Sequence, residues 1–280
     1  MPYGTWIIRE IESPKGYVLS EEEIAVTIGK VDEVVEIELV NYFIKGNIAL
    51  TKVDEDYPDN KLSGAVFEVY SDTNGDGKLD KDDTLLGEMK ELDGGVYQMS
   101  ELRYGKYLVK ETKAPTGFVL DENVYSVSVE ENGKTYTVEN KAGVGFINAA
   151  QKGSLKIVKT SSDGKVEGFS FRVTGVDYDQ TFKTDKNGEI VIEGLRIGDY
   201  TVSEVSDKAS AGYILPADKQ ATVKVDATAI VQMHNEFRDT PKTGDDFNLG
   251  LWVSLAALSV VGAGVLGFVG YKNRKKKNED

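Results

Sequence analysis

The chain has 280 residues and no cysteine, which excludes disulfides, zinc–thiolate centres and cysteine nucleophiles. Its one histidine is His234, so a serine–histidine–aspartate relay could use only that residue, and nothing in the sequence around it supports one. Basic residues are in deficit: 33 Lys and Arg against 47 Asp and Glu leave a formal charge of −14, a balance unsuited to nucleic acid. The opening Met-Pro-Tyr-Gly-Thr-Trp has neither the basic region nor the apolar stretch of a secretory signal. The C-terminal features described next require export, so the sequence reads as an N-terminally truncated piece of a longer protein.

What is abundant is β-forming. Glycine at 29, tyrosine at 14 and repeated Val/Ile/Thr runs point to an all-β chain with many turns. The C-terminus differs from the rest. An uncharged run from Leu249 to Tyr271 would reach roughly 34 Å as a helix, enough to cross a bilayer core. Lys272 to Asp280 follows as a basic tail, which places the tail in the cytoplasm and everything before Asp246 outside. Ahead of the helix stands Thr240-Pro241-Lys242-Thr243-Gly244. This order resembles the sorting signal of Gram-positive surface proteins, a Leu-Pro-x-Thr-Gly pentapeptide before a membrane helix and basic tail. The resemblance implies a sortase that cleaves between Thr243 and Gly244 and passes Thr243 to cell-wall peptidoglycan or another subunit, with the membrane span transient. Thr240 stands where the family has Leu.

The extracellular part repeats. Trp6-Ile-Ile-Arg-Glu10 with Pro14 and Gly16-Tyr17 parallels Tyr107-Leu-Val-Lys-Glu111 with Pro115 and Gly117-Phe118, and more loosely Tyr200-Thr-Val-Ser-Glu204 with Gly212-Tyr213. Gly46-Asn-Ile-Ala-Leu-Thr-Lys52 parallels Gly153-Ser-Leu-Lys-Ile-Val-Lys159. A third motif, 36–41, 143–148 and 230–235, reads as strands ending in Asn41, Asn148 and Asn235. The organisation that follows is part of a unit at 1–45, full units at 46–151 and 152–238, a linker at 239–248, the helix at 249–271 and the tail at 272–280.

Strand side chains alternate between faces. Lys52 therefore shares a face with Ile48 and Leu50, Glu111 with Tyr107 and Val109, and Asn148 with Val144 and Phe146. Burial lowers a lysine pKa and raises a glutamate pKa, so a neutral amine would stand beside a protonated acid. Such an amine can attack a side-chain amide if the acid relays protons to the departing ammonia. The units resemble Cna-B (SpaA-type) domains of Gram-positive pilins and collagen-adhesin stalks, and Tyr107 to Phe118 resembles their E-box. The resemblance implies tandem prealbumin- or immunoglobulin-like β-sandwiches that form Lys–Asn isopeptide bonds. Lys52 is then the nucleophile, Glu111 the proton shuttle and Asn148 the electrophile, with Lys159, Glu204 and Asn235 as the second trio. The partial unit supplies Glu10 and Asn41 without a lysine strand and should expose unpaired strand edges.

A further pattern lies at 72–83. Oxygen-bearing Asp72, Asn74, Asp76, Asp80 and Asp83 fall at positions 1, 3, 5, 9 and 12, with Gly77 at 6 and the Lys78 carbonyl at 7, as in an EF-hand calcium loop. A structural Ca²⁺ is expected there; no cofactor is required otherwise.

The reading is a non-enzymatic structural protein of the Gram-positive cell surface. Its partners would be sortase, peptidoglycan or other pilin subunits, and the membrane through the C-terminal helix; host or matrix proteins are further candidates. Tyr57-Pro58-Asp59-Asn60 lacks the lysine through which pilus backbone subunits join, which favours an ancillary or basal pilin or an adhesin stalk. The alternative is the anchor and stalk of a larger surface enzyme or ligand-binding adhesin.

Overall fold

In the computed structural model, residues 2–238 are described, and every regular element among them is a β-strand. The sorting motif Thr240–Gly244, the apolar run 249–271 and the basic tail lie outside the described residues. Among the described residues no helix is long and apolar enough to cross a membrane.

The first group of strands is a hairpin of β1 (Gly4–Arg9) and β2 (Glu23–Ile28). The second comprises β3 (Lys45–Asp54), β4 (Val66–Ser71), β5 (Thr84–Glu88), β6 (Lys90–Asp93), β7 (Val96–Arg103), β8 (Gly105–Lys113), β9 (Val124–Val129), β10 (Thr135–Thr137) and β11 (Phe146–Asn148). One sheet runs β10-β3-β7-β6 with β11 also on β3, and the other runs β5-β4-β8-β9. The third group is β12 (Lys152–Ser161), β13 (Ser170–Gly175), β14 (Tyr178–Lys183), β15 (Glu189–Arg196), β16 (Gly198–Val205), β17 (Tyr213–Ile214), β18 (Lys219–Val223) and β19 (Thr228–Phe237). Its sheets run β15-β12-β19-β17 and β14-β13-β16-β18.

Alternation builds each sandwich. Ile48 and Leu50 of β3 meet Phe67, Val69, Tyr97, Val109 and Phe146 in one core, and Leu155 and Ile157 of β12 meet Phe171, Val173, Tyr200, Val202 and Met233 in the other. Each such side chain stabilises the fold by about 1.5–3 kcal/mol when fully buried. Gly153 at the start of β12 is forced by crowding, since a Cβ there would come within 2.1 Å of the Lys224 carbonyl oxygen.

In both sandwiches the first strand lies parallel to the last. β12 runs alongside β19 from Ser154↔Thr228 to Ser161↔Asn235, and β3 pairs in parallel with β10 and then β11. The third repeated motif differs from the sequence expectation in each copy. Residues 36–41 form no strand, because none of the described residues lies beside them as a parallel hydrogen-bonding neighbour. In 143–148 only Phe146–Asn148 is strand, since Val144 and Gly145 donate back to the Lys141 carbonyl in a turn. In the last copy β19 continues past Asn235, because Phe237 pairs with Tyr213.

Candidate functional site

The hairpin register that aims each glutamate is the same three times. Gly4 faces Ile28, Gly105 faces Val129 and Gly198 faces Val223. Six residues beyond each glycine, Glu10, Glu111 and Glu204 fall on the same face as the aromatic at the second position.

In the second group, Lys52, Glu111 and Asn148 are buried together between the sheets. Lys52 Nζ donates to the Phe146 carbonyl at 3.0 Å and lies 3.9 Å from Glu111 Oε1. The Asn148 amide donates to both Glu111 oxygens, at 3.0 and 2.9 Å. Asn148 Oδ1 is buried without a donor, an arrangement that costs about 1–3 kcal/mol. The Lys52 ammonium also sits 5.0 Å from the centre of the Phe146 ring.

The third group holds the matching residues, with Glu204 only half-buried. The Asn235 amide donates to Glu204 Oε1 at 2.7 Å, and Lys159 is buried, donating to the Thr160 carbonyl with its ammonium 4.3 Å from the Phe169 ring centre. Both lysines face the residue two before the asparagine: Lys52↔Phe146 and Lys159↔Met233. Asn235 Oδ1 and Glu204 Oε2 are buried without partners.

Burial pushes the Lys52 amine down to about 8, against the opposing pull of Glu111, and pushes Glu111 up. Lys159 is likewise lowered and Glu204 raised, each chiefly by burial. Neutral amine and protonated acid are thus the forms the interior favours.

The hairpin group holds the acid and amide without an amine. The Asn41 amide donates to Glu10 Oε1 at 2.6 Å, and the Ser20 N–H donates to Glu10 Oε2 at 2.8 Å. The Ser20 and then the Asn41 hydrogen bond outweigh a smaller opposing effect of burial and hold Glu10 below the usual carboxylate range.

Several contributors were not singled out in the sequence. The Asp121 N–H donates to Glu111 Oε2 at 2.8 Å, and the Asp121 carboxylate accepts from Tyr125 at 2.7 Å and Asn140 at 2.9 Å. Extending the repeat would have found this position, since Asp121 and Ser20 both lie ten residues after their glutamates. No equivalent donor reaches Glu204 Oε2, in the copy whose motif has the longer stretch before Gly212. The Phe146 carbonyl carries no sequence signal, because any residue has one.

In the 72–83 loop, Asp72 accepts from the Gly75 and Gly77 amides at 2.7 and 3.1 Å, Asn74 donates to Asp80 at 3.2 Å, and Asp83 accepts from Thr73 and Asp80. The Asp76 carboxylate accepts from its own loop at Lys78 N–H. Among the described residues, no three or more His, Cys, Asp or Glu are gathered as a metal cluster. His234 is exposed, bonded to Thr160 at 2.8 Å and Glu236 at 3.1 Å on the face opposite Asn235.

A β-hairpin and two β-sandwiches, one closed around a buried lysine, glutamate and asparagine and the other around a buried lysine and asparagine with a half-buried glutamate, define the class. The chain matches the SpaA prealbumin-like fold domain over residues 1–42, 46–142 and 153–237, and it belongs to that family. Among solved structures it is similar to the Bacillus anthracis TIE protein, at 26% identity and a TM-score of 0.64, over 85% of this chain and 42% of that one. The chain therefore spans less than half the length of that protein. Matches also include GBS52, the minor pilin of Streptococcus agalactiae, at 18% identity and a TM-score of 0.32 over 71% of this chain and 98% of that one. The pilus adhesin SpaC of Lactobacillus rhamnosus GG matches at 14% identity and a TM-score of 0.43, over 71% and 32% of the two chains. No curated protein matches.

Proposed function

We propose that the chain is a load-bearing stalk of the Gram-positive cell surface, an ancillary or basal pilin or adhesin stalk, whose complete units are each locked by a Lys–Asn isopeptide bond. The observation that carries this reading is the repeated burial of lysine and asparagine on parallel first and last strands, with a glutamate hydrogen-bonded to the asparagine amide each time. In the second unit the neutral Lys52 Nζ attacks Asn148 Cγ. The Nζ–Cγ bond forms, the Cγ–Nδ2 bond breaks, and Glu111 takes a proton from Nζ and delivers one to Nδ2, so that ammonia leaves. The Asn148 amide already points its nitrogen at Glu111, where the departing group needs the proton. Lys159, Glu204 and Asn235 do the same in the third unit. Lysine and asparagine are consumed in the step, so the chemistry happens once per unit and is not turnover of a substrate.

The parallel first and last strands give the bond its use. Tension enters the third unit at β12 and leaves at β19. A link from Lys159 to Asn235 carries it past everything between those residues, and Lys52 to Asn148 does so in the unit before. In a chain without cysteine, this bond takes the place of a disulfide.

Attachment is assigned to the C-terminal signal: a sortase cleaves after Thr243 and joins the chain to peptidoglycan or another pilin subunit, the apolar run 249–271 holding the precursor in the membrane until then. Loop 72–83 is assigned a structural Ca²⁺. The decisive measurement is an intact mass with peptide mapping. We expect a deficit of two ammonia molecules and linked peptides at Lys52–Asn148 and Lys159–Asn235; a chain at full unmodified mass overturns the cross-links. Recovery of Thr243 joined to wall peptide supports sorting, whereas an intact tail retained in the membrane counts against it.

A further inference from the structure

Asn148 ends a strand too short to hold it firmly. β11 has three residues, where β19 runs through Asn235 with ten. Between β10 and β11 the chain makes a closed excursion, with Lys141 and Gly145 bonded to each other across it. Among the described residues β11 has β3 as its strand partner, on one side. A side chain serves the other side. Asn140 Oδ1 accepts from the Ile147 N–H at 2.7 Å, and Asn140 Nδ2 donates to the Ile147 carbonyl at 2.9 Å. One amide thus makes both bonds that a paired strand residue would exchange, at the position immediately before Asn148.

Asn140 Nδ2 also donates to Asp121 Oδ2 at 2.9 Å, and Asp121 is a hub. Its main-chain N–H donates to Glu111 Oε2 at 2.8 Å, and its Oδ2 accepts from the Tyr125 hydroxyl at 2.7 Å. The Tyr125 ring packs edge-on against the Phe146 ring, centres 5.1 Å apart, and the Phe146 carbonyl is the acceptor for Lys52 Nζ. Every member of the trio is therefore tied to one residue: the acid through the Asp121 N–H, the amide through Asn140 and Ile147, the amine through Tyr125 and Phe146.

We infer that Asp121 and Asn140 are positioning residues for the Lys52–Asn148 step, a bracket that holds acid, amine and amide carbon in attacking geometry before any bond forms. The step itself is the one given above: Nζ–Cγ forms, Cγ–Nδ2 breaks, and Glu111 passes the proton to the ammonia that leaves. The bracket touches neither Lys52 nor the Asn148 side chain, so it acts through the groups it holds. Its effect is on rate, because misplacing reacting atoms by about 1 Å costs on the order of a hundredfold. The third unit is built otherwise. There the position before Asn235 is His234, whose ring is bonded to Thr160 and Glu236, and Asn235 lies in the continuous register of β19 on β12.

This assignment rests on the bond chemistry proposed above, and one experiment separates the two. The full chain is made in a cell-free reaction, translation is stopped, and ammonia loss at Asn148 and at Asn235 is followed in time by intact mass and peptide mapping. The third unit is the internal reference. In Asn140→Ala and Asp121→Ala, closure at Asn148 should slow by roughly ten- to a hundredfold, with closure at Asn235 keeping its wild-type rate. Given time, both variants should still lose two ammonia molecules, which a second unit that fails to fold could not do. The double variant should be no slower than the slower single one, because both changes cut the same path. Asp121→Asn, which keeps an oxygen for the Asn140 and Tyr125 donors, should recover most of the rate. Wild-type speed at Asn148 in Asn140→Ala overturns the inference. A second unit that never closes and has lost its melting transition overturns it too, by giving these residues to the fold instead. Effects that multiply in the double variant overturn the shared bracket. A wild-type chain with neither bond removes the underlying chemistry, and this inference with it.

Discussion

Lys52 Nζ stands 3.9 Å from Glu111 Oε1, and both side chains are wholly shielded from solvent. Two opposite charges in such a place are costly to desolvate, and their attraction repays that cost only in part. Covalent linkage removes the problem: once Nζ is an amide nitrogen, it is no longer basic. Glu111→Gln keeps the shape and a hydrogen bond to Asn148 but cannot carry the proton. We expect that variant to show one ammonia loss instead of two, at Asn235 only. By the chain-entropy estimate for a link closing a loop near one hundred residues, the second unit should lose on the order of 4 kcal/mol. Mass and thermal melting, read on the same sample, check both halves; an unchanged deficit of two would remove Glu111 from the relay.

The amine can be seen directly where the bond cannot form. In Asn148→Ala, Lys52 remains titratable, with its folded value near 8 against an ordinary 10.5. Between those values the unfolded chain holds a proton that the folded chain lacks, so stability must rise with pH across that window. At 1.36 kcal/mol per unit, the rise is at most about 3 kcal/mol. Glu111, raised by burial, acts on the acid side, favouring the fold as pH falls toward the unfolded carboxyl value. Denaturant titrations from pH 8 to 10.5 should show the alkaline gain in Asn148→Ala, and Lys52→Met/Asn148→Ala should lack it.

Most strands, and the meeting of Lys52, Glu111 and Asn148, were legible because both are written in side chains. Gly46 to Lys52 alternates, and alternation is a local property that sends Lys52 inward whatever the rest of the chain does. The glutamates and asparagines were legible through repetition, each set sharpening the other. What was not legible depends on pairing between distant segments. Residues 36–41 have the composition of a strand, but a strand exists only with a neighbour, and none of the described residues pairs with them as one. The split of the final strand into β10 and β11 turns on a local turn at Lys141–Gly145 whose cost no pattern reveals. Arg196 carries no local signal in the sequence, because its partners lie 140 and 142 residues away.

Loop 72–83 makes a separate claim. Asp72 is buried, with its two oxygens accepting from the Gly75 and Gly77 amides, so an ion bound at the proposed first position would meet a carboxylate that is already ordered. Binding to the folded state alone stabilises by about 2.7 kcal/mol when the ion is at a hundred times its dissociation constant. Calcium should therefore raise the melting temperature of the wild-type chain, chelator should reverse it, and Asp72→Ala should be indifferent to both. A wild-type melt that ignores calcium and chelator alike removes the ion from the loop.

Arg196 joins the second unit to the third. Its guanidinium forks onto Asp54, Nη1 to Oδ2 at 2.6 Å and Nη2 to Oδ1 at 2.8 Å, and also reaches Asp56 at 3.0 Å, while lying 4.9 Å from the ring centre of Tyr57. Asp54 is two residues beyond Lys52 and pairs in register with Asn148, so the fork grips the end of the strand that carries Lys52. Burial pushes the Asp54 carboxyl up, but the Arg196 hydrogen bonds outweigh it and hold the group below its usual range. Beside the fork, Gly117 accepts from Gln151 N–H at 2.8 Å, and Gln151 in turn accepts from Ile197 N–H at 3.1 Å. The junction before it is built alike: Gly16 accepts from Ile44 N–H at 2.9 Å, Ile44 accepts from Tyr104 N–H at 2.9 Å, and Arg103 lies 4.0 Å from the Phe43 ring centre. Arg196→Ala leaves Asp54 buried and unpaired, a loss of roughly 3 kcal/mol for a broken buried pair. Both ammonia losses should persist, because neither trio is touched. Small-angle scattering should show the variant with a broader distribution of distances between the two units, and Asp54→Asn/Arg196→Gln should recover stability but not the narrow distribution. Identical scattering from wild type and Arg196→Ala would mean the fork does not set the angle between units, and the backbone ladder through Gln151 alone would carry that role.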